Sequence, residues 1–250
     1  MSIPKIIHYV WVGNNKKDKK TIECIKTWKK YCPDYVFLEW GNDILKEIDN
    51  QYVKEAYQNK MYAFVSDYLR LYVLKKYGGI YLDTDVEITN NIDKFLDNDF
   101  FICHEMNNNV PHINTAFIGS IPNNKIIDGL LKMYESISFV KQDKSLDLTT
   151  NPVRFLEYFK NKYNLVITDG THSITLEKKS IIYPYWYFCK PEDNKENYAI
   201  HHFAGSWVKK RSSFIQKIFS LKNSQNKSHK VITILGIKIK IKRGKFNEHC

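Results

Sequence analysis

The sequence predicts an α/β fold, a sheet flanked by helices, over residues 1–208, followed by a separate basic appendage over residues 209–250. Two observations carry this reading. Apolar runs of strand length alternate with segments of helical period from the first residues onward, and the charge distribution breaks near residue 208. Of the 38 Lys and Arg, 12 lie between Val208 and Asn247; of the 27 Asp and Glu, only Glu248 lies beyond residue 208. The remaining 26 of each sign leave residues 1–208 formally neutral. A nucleic-acid enzyme more often spreads basic residues over the groove that meets phosphates, so the neutral body argues against that class.

The elements follow in order. Ile6–Val12 (IIHYVWV) reads as a buried strand ending at Gly13, and a polar loop leads to a helix from about Thr21 to Tyr31. Residues 35–40 (YVFLEW) form a second strand, and helical spacing resumes from about Asp43. From Lys60 to Tyr77 the residues Met61, Phe64, Val65, Tyr68, Leu69, Tyr72 and Val73 recur at helical spacing, with Gly78 as the stop. Ile80–Leu82 make a short strand before two aspartates. Downstream, FFIC (100–103) and NTAFIGS (114–120) read as strands, and a helix is expected over 124–139. Asn151 caps a further helix, with Pro152 at its first position. The runs NLVIT, IIYPYWYF and YAIHHF supply more strands. In the appendage, KKRSSFIQKIFSLKN reads as an amphipathic basic helix and VITILGIKIKIKR as a hairpin-like strand pair.

Five cysteines, odd in number and without a C-x-x-C pair, point to a reducing compartment, and no apolar run approaches the length of a membrane span. The cytosol is the expected location. The chemistry centres on YGGIYLDTDVEI, residues 77–88. At i, i+2 on an extended chain, Asp83 and Asp85 project to one side, and two like charges so placed need a cation or a proton between them. Hard oxygen ligands at this spacing suit Mg2+ or Mn2+. Asp67 and Arg70 share a face of the preceding helix: a surface ion pair, or a carboxylate and guanidinium that reach a sugar hydroxyl and a phosphate near the cation. His202 is the candidate third ligand, which would favour manganese. Trp11, at a strand end before a glycine, is either core or a platform for a nucleobase.

IPKIIHYVWVG, SDYLR, YGGIYLDTD, INTAFIGS and H-x-x-G-S-W, in this order over residues 3–207, resemble the pattern of glycosyltransferase family 32, to which the glucosylating domains of large clostridial toxins are related. The resemblance implies a GT-A fold, a nucleotide-sugar donor with uridine the expected base, a divalent metal (Mn2+ or Mg2+), and transfer with retention to a saccharide acceptor in capsular, exo- or lipopolysaccharide synthesis. It also implies that Trp11 stacks on the base, with Val10 offering its backbone. Asp67 contacts ribose or sugar hydroxyls, and Arg70 holds donor oxygens. Asp83 and Asp85 hold the metal and ribose, and His202 completes the metal sphere. Asn114 faces the transferred sugar or acceptor, and Ser206 and Trp207 close over the diphosphate. Asn151-Pro152 stands where members of the family often have Gly-Pro, a departure on the acceptor side.

Two rival readings have weaker support. A phosphatase of the haloacid dehalogenase type would use Asp83 as nucleophile, but Glu87 occupies the usual Thr position and no distal acidic pair follows. A non-enzymatic basic membrane-binding module accounts for the appendage alone. For the appendage within an enzyme, the functional expectation is attachment to an anionic membrane face through Phe214, Ile218 and Phe219, suiting an acceptor on a lipid carrier. The alternative is a solvated helix and a hairpin covering a sheet edge.

Overall fold

The computed structural model describes residues 1–107 and 110–205, and the backbone of 219–223, 229–234 and 237–242. The chain divides into two units, Met1–Ala204 and Gly205–Cys250. The first unit opens with β1 (Ile6–Val10), α1 (Lys19–Tyr31) and β2 (Val36–Trp40). A 3-10 turn leads to α2 (Gln51–Gln58), α3 (Tyr62–Tyr77), β3 (Gly79–Leu82) and β4 (Val86–Ile88). Then come β5 (Phe100–Asn107), β6 (Val110–Ser120), α4 (Lys125–Lys132) and α5 (Asn151–Tyr163). The unit closes with β7 (Ile174–Glu177), β8 (Ser180–Tyr183), α6 (Tyr185–Phe188) and β9 (Ala199–His201).

Seven strands form one mixed sheet in the order β2-β1-β3-β6-β5-β8-β7, while β4 and β9 make a separate antiparallel pair. The parallel arm β2-β1-β3 is the doubly wound half expected from the alternation of strands and helices. Residues alternate across the sheet. Phe100 and Ile102 of β5 pack with α2, α3, α4 and α5 on one face, whereas Phe101 and Cys103 pack with Trp28 of α1, Val86 of β4 and Phe188 of α6 on the other. The arrangement is GT-A-like: a mixed central sheet flanked by helices.

Helix α3 lies between layers, and its buried residues Phe64, Val65, Leu69, Leu71 and Val73 surround the axis. It stops at Gly78 and Gly79, both at positive φ. A Cβ on Gly79 would sit 2.7 Å from the Ile6 carbonyl oxygen, so only glycine lets β3 enter the sheet directly beside β1. His8 locks the turn. Burial holds its pKa down at about 4, and Trp40 Nε1 donates to its Nδ1 at 3.1 Å, so the neutral ring donates through Nε2 to the Gly78 carbonyl at 2.7 Å.

Several expectations require correction. The helix over 124–139 ends at Lys132, where the backbone tightens into turns closed by Tyr134 N to Leu131 O and Glu135 N to Lys132 O. NLVIT forms no strand; the Val166 side chain is exposed and the run pairs with no neighbour. IIYPYWYF divides at Pro184, which ends β8 and starts α6. Thr150, not Asn151, is the N-cap of α5, and Asn151 turns its side chain into the core. In the second unit β10 (Phe219–Asn223), β11 (His229–Ile234) and β12 (Ile237–Lys242) form an antiparallel sheet. The basic helix therefore does not run to Asn223: Phe219–Asn223 pairs in register with the Ile- and Val-rich β11. Phe214 and Ile218 lie outside the described residues.

Candidate active site

The aspartates sit where β3 leaves the sheet. Asp83 N donates to Ala116 O at 2.8 Å and Val86 N to Asp83 O at 3.0 Å, so the chain turns through Thr84 and Asp85 straight into β4. The register of β4 against β9 pairs Val86 with His201 and so delivers the end of β9 to the turn. There His202 N donates to Asp85 O at 3.1 Å, and Ala204 N donates to Asp85 Oδ2 at 2.8 Å. His201 Nε2 lies 3.6 Å from Asp85 Oδ2, and ligand atoms of Asp83, Asp85 and His201 lie within 4.8 Å of one another. The imidazole that reaches the two aspartates is thus that of His201, whereas His202, the ligand expected from the sequence, turns away from them. Adjacent residues of an extended chain face opposite ways, and the His202 ring meets Glu87, 2.8 Å from Nε2 to Oε2.

Behind the aspartates, Asp67 and Arg70 form no surface pair. Arg70 is 4% exposed, with Nη2 2.8 Å from Asp67 Oδ1 and 3.2 Å from Asp83 Oδ1. Its Nη1 donates to Thr115 O at 2.6 Å, its Nε to Ser66 O at 3.2 Å, and its plane lies over the Tyr81 ring. Tyr81 OH donates to Asp83 Oδ1 at 2.8 Å. Each nitrogen of the guanidinium has a protein acceptor, so Arg70 acts as the clamp that joins Asp67 of α3 to Asp83 of β3. Burial raises the Asp67 pKa to about 6, with the Asp83 charge adding to the rise and Arg70 opposing it. The backbone carbonyl of Asp67 accepts from Asn151 Nδ2 at 2.9 Å, and Asn151 Oδ1 accepts from Tyr134 OH at 2.5 Å. Asn151 of the departing Asn-Pro pair therefore braces the helix that presents Asp67.

Glu105 is a member of the site that the sequence reading missed. It lies on β5 beyond the recognised FFIC run, on the same strand face as Phe101 and Cys103. An acid at i+2 from a thiol and i+4 from an aromatic, in period 2, was the available signal. Its Oε2 is 3.9 Å from His201 Nδ1, and Glu105, Cys189 and His201 offer ligand atoms within 4.8 Å of one another. Burial and the charge of Asp83 raise the Glu105 pKa to about 7, and burial lifts the Cys189 thiol to about 12. Burial also lowers His201, against the pull of Asp85 and Asp83.

The other expected residues are placed as follows. Trp11 follows β1, is half-buried, donates through Nε1 to Asn15 O at 2.8 Å, and has Lys17 Nζ 5.5 Å from its ring centre. Val10 is buried in β1. Asn114 is fully buried on β6; its Oδ1 accepts from Ala116 N at 2.8 Å and its Nδ2 has no hydrogen-bond partner. Ser206 and Trp207 lie outside the described residues.

Asp67 and Asp83 meet the Arg70 guanidinium while Asp85 and Glu105 flank the His201 ring, so carboxylates outnumber cations among these residues and the site favours added positive charge. The donor set fits a divalent cation: two hard carboxylates and an imidazole on one side of a turn, with solvent access left for further ligands.

Known proteins that this chain resembles are glycosyltransferases. Residues 18–102 match the family described as a glycosyltransferase sugar-binding region containing a DXD motif. An uncharacterized glycosyltransferase of Acanthamoeba polyphaga mimivirus is 26% identical over 199 residues, covering 73% of this chain and 73% of that protein. Inositol phosphoceramide mannosyltransferase 3 of Schizosaccharomyces pombe is 33% identical over 99 residues, covering 38% of this chain and 28% of that protein. Among solved structures, the PaToxG glycosyltransferase superposes with a TM-score of 0.53 at 21% identity, covering 65% of this chain and 71% of that one, and so shares the fold.

Proposed function

We propose that this chain, a glycosyltransferase with a DXD sugar-binding region, moves a hexose from a nucleotide sugar to a saccharide acceptor, with a divalent cation held by Asp83, Asp85 and His201. The observation that carries the reading is the convergence of these three side chains, in front of a buried Asp67–Arg70–Asp83 clamp. When bound, Mn2+ or Mg2+ supplies charge stabilisation to the departing diphosphate, an effect worth several kcal/mol. The protein's own groups do the rest. Arg70 fixes Asp67 and Asp83 at the spacing the sugar needs, and the Asp67 carboxylate accepts from sugar hydroxyls. The exposed part of the Trp11 ring offers a stacking face to the base, taken as uracil. No carboxylate is assigned as a covalent nucleophile. The acceptor hydroxyl attacks from the face the leaving group departs, so configuration is retained, and the diphosphate oxygen takes its proton.

On the acceptor side, one relative is named an inositol phosphoceramide mannosyltransferase and another a mannosyl phosphorylinositol ceramide synthase, which supports an acceptor carried on a lipid. Polysaccharide assembly of the capsule or lipopolysaccharide kind would present such an acceptor at the inner face of a cell membrane. The 12 Lys and Arg between Val208 and Asn247 would hold the enzyme there by attraction to anionic lipid. Removing residues 209–250 is expected to release the protein from membrane fractions with donor hydrolysis intact; unchanged fractionation rejects the attachment.

The deciding experiment screens uridine and guanosine diphosphate sugars for hydrolysis with Mn2+, Mg2+ or chelator, beside a generic phosphate ester. The expected result is hydrolysis of one sugar nucleotide, lost with chelator and reduced about 100-fold or more in Asp85→Asn. Full activity in that variant, or cleavage of the ester alone, rejects the reading.

A further inference from the structure

We propose that Glu105, Cys189 and His201 form a second metal site, beside the aspartate pair, that takes a soft divalent cation of the Zn2+ type. The inference goes beyond the glycosyl transfer reading and stands on different atoms. The three side chains offer a carboxylate oxygen, a sulfur and an imidazole nitrogen within 4.8 Å of one another. That mixture is the ligand chemistry of zinc, whereas Mg2+ and Mn2+ favour the oxygens of Asp83 and Asp85.

The backbone builds this cluster. His201 N donates to Cys189 O at 2.8 Å, which ties β9 to the end of α6 and sets the thiol beside the ring. On the opposite side of His201, the β4–β9 register fixes the strand against Val86. Glu105 arrives from β5, inside the sheet, and its side chain makes no hydrogen bond among the described residues. A second, independent observation marks a missing ligand: His201 Nδ1, on the Glu105 side, is fully buried and has no hydrogen-bond partner. A buried ring nitrogen left so is destabilising, a penalty that a metal bond removes. The Glu105 and His201 side chains are 15% and 13% exposed, so a small cation can reach them.

The ring of His201 belongs to both triads, Nε2 toward Asp85 at 3.6 Å and Nδ1 toward Glu105 at 3.9 Å. Neutral imidazole has a single lone pair. Bonding to a cation through Nδ1 leaves the proton on Nε2, which then faces Asp85 as a donor and no longer as a ligand. Occupancy of the second site therefore withdraws the imidazole from the aspartate-held cation. Cys189 binds as thiolate, its S–H proton passing to solvent, and water fills the fourth position.

The test uses the full chain, reduced and metal-free, titrated with Co2+ and Zn2+. Cobalt at a thiolate site gives a sulfur-to-metal charge-transfer absorption that an all-oxygen and imidazole site cannot give. The band is expected in the wild type, displaced by Zn2+, absent in Cys189→Ser, and present in the Asp83→Asn/Asp85→Asn double variant. Glu105→Gln should keep the band and weaken cobalt affinity about 10-fold or more. Zinc-edge X-ray absorption on the wild type, which needs no variant to fold, should show one sulfur at about 2.3 Å. Cobalt binding without the band, a band that survives in Cys189→Ser, or a zinc shell without sulfur overturns the proposal. Donor hydrolysis in the double variant reports on the glycosyl transfer reading alone, so the two can fail separately.

Discussion

Replacing Asp67 by Asn should make the protein more stable and less active, and the size of the gain follows from the site. Asp67 is 9% exposed, and its pKa stands at about 6 against 3.8 for a free side chain. At neutral pH the group is ionised in both states, but the folded state disfavours that charge by about 3 kcal/mol, at about 1.4 kcal/mol per pKa unit. The sign follows from proton uptake. Between roughly pH 4 and 6 the folded state binds more protons than the unfolded chain, so stability is greatest below the unfolded pKa and falls as pH rises through the folded one. Asn has the shape of the protonated acid and carries no charge. Arg70 loses one carboxylate but keeps Asp83, Thr115 O and Ser66 O, so a net gain of about 1–3 kcal/mol is expected at pH 7. For a chain of this size that is a rise in Tm of about 2–12 °C. Thermal melts of both proteins with chelator, at pH 4 and pH 7, give the measurement: the gap should open at pH 7 and close by pH 4, while donor hydrolysis falls about 100-fold. A variant that melts lower at pH 7, or a gap of equal size at both pH values, refutes the assignment of Asp67 as a charge held at a cost for function.

Three other outcomes are expected. His201→Ala should weaken Mn2+ binding, followed by electron paramagnetic resonance of the free ion, about 10-fold or more, whereas His202→Ala should change it less than about 2-fold; the reverse order rejects the placement of His201. Gly79→Ala forces a Cβ to 2.7 Å from Ile6 O at a φ of +102°, and should cost about 2 kcal/mol or more in urea denaturation; a loss under about 0.5 kcal/mol rejects the fit argument. Asn151→Ala strands the Asp67 carbonyl and the Tyr134 hydroxyl, each costing about 1–3 kcal/mol, and should lower both Tm and the kcat of donor hydrolysis; unchanged kcat would limit Asn151 to a structural role.

The parallel arm of the sheet was legible because its signals are local. The runs at Ile6, Val36 and Ile80 are short and mostly apolar, the helices between them keep their period, and Gly78 marks the stop of α3. Errors gathered where local pattern and long-range pairing disagree. NLVIT has strand composition but no strand beside it, and residues 219–223 have helical spacing but are paired along β11. Strand propensity measures fit to neighbours, which a linear reading does not contain.

The site divides along the same line. Asp67, Arg70, Asp83 and Asp85 lie within 19 positions of one another, on one helix, one glycine turn and one strand end, so spacing alone brought them together. His201 and Glu105 reach them through the β4–β9 register and through β5 pairing with β6, contacts between segments far apart in the chain. Between His201 and His202 the sequence offers no choice, since each is an imidazole at a strand end. Pairing Val86 with His201 decides it, because it fixes which of two adjacent rings turns toward Asp85 and which toward Glu87. A shift of one residue in that register would exchange the two histidines. Which imidazole stands beside the aspartates is therefore set by two short strands of three residues each and not by the aspartates themselves.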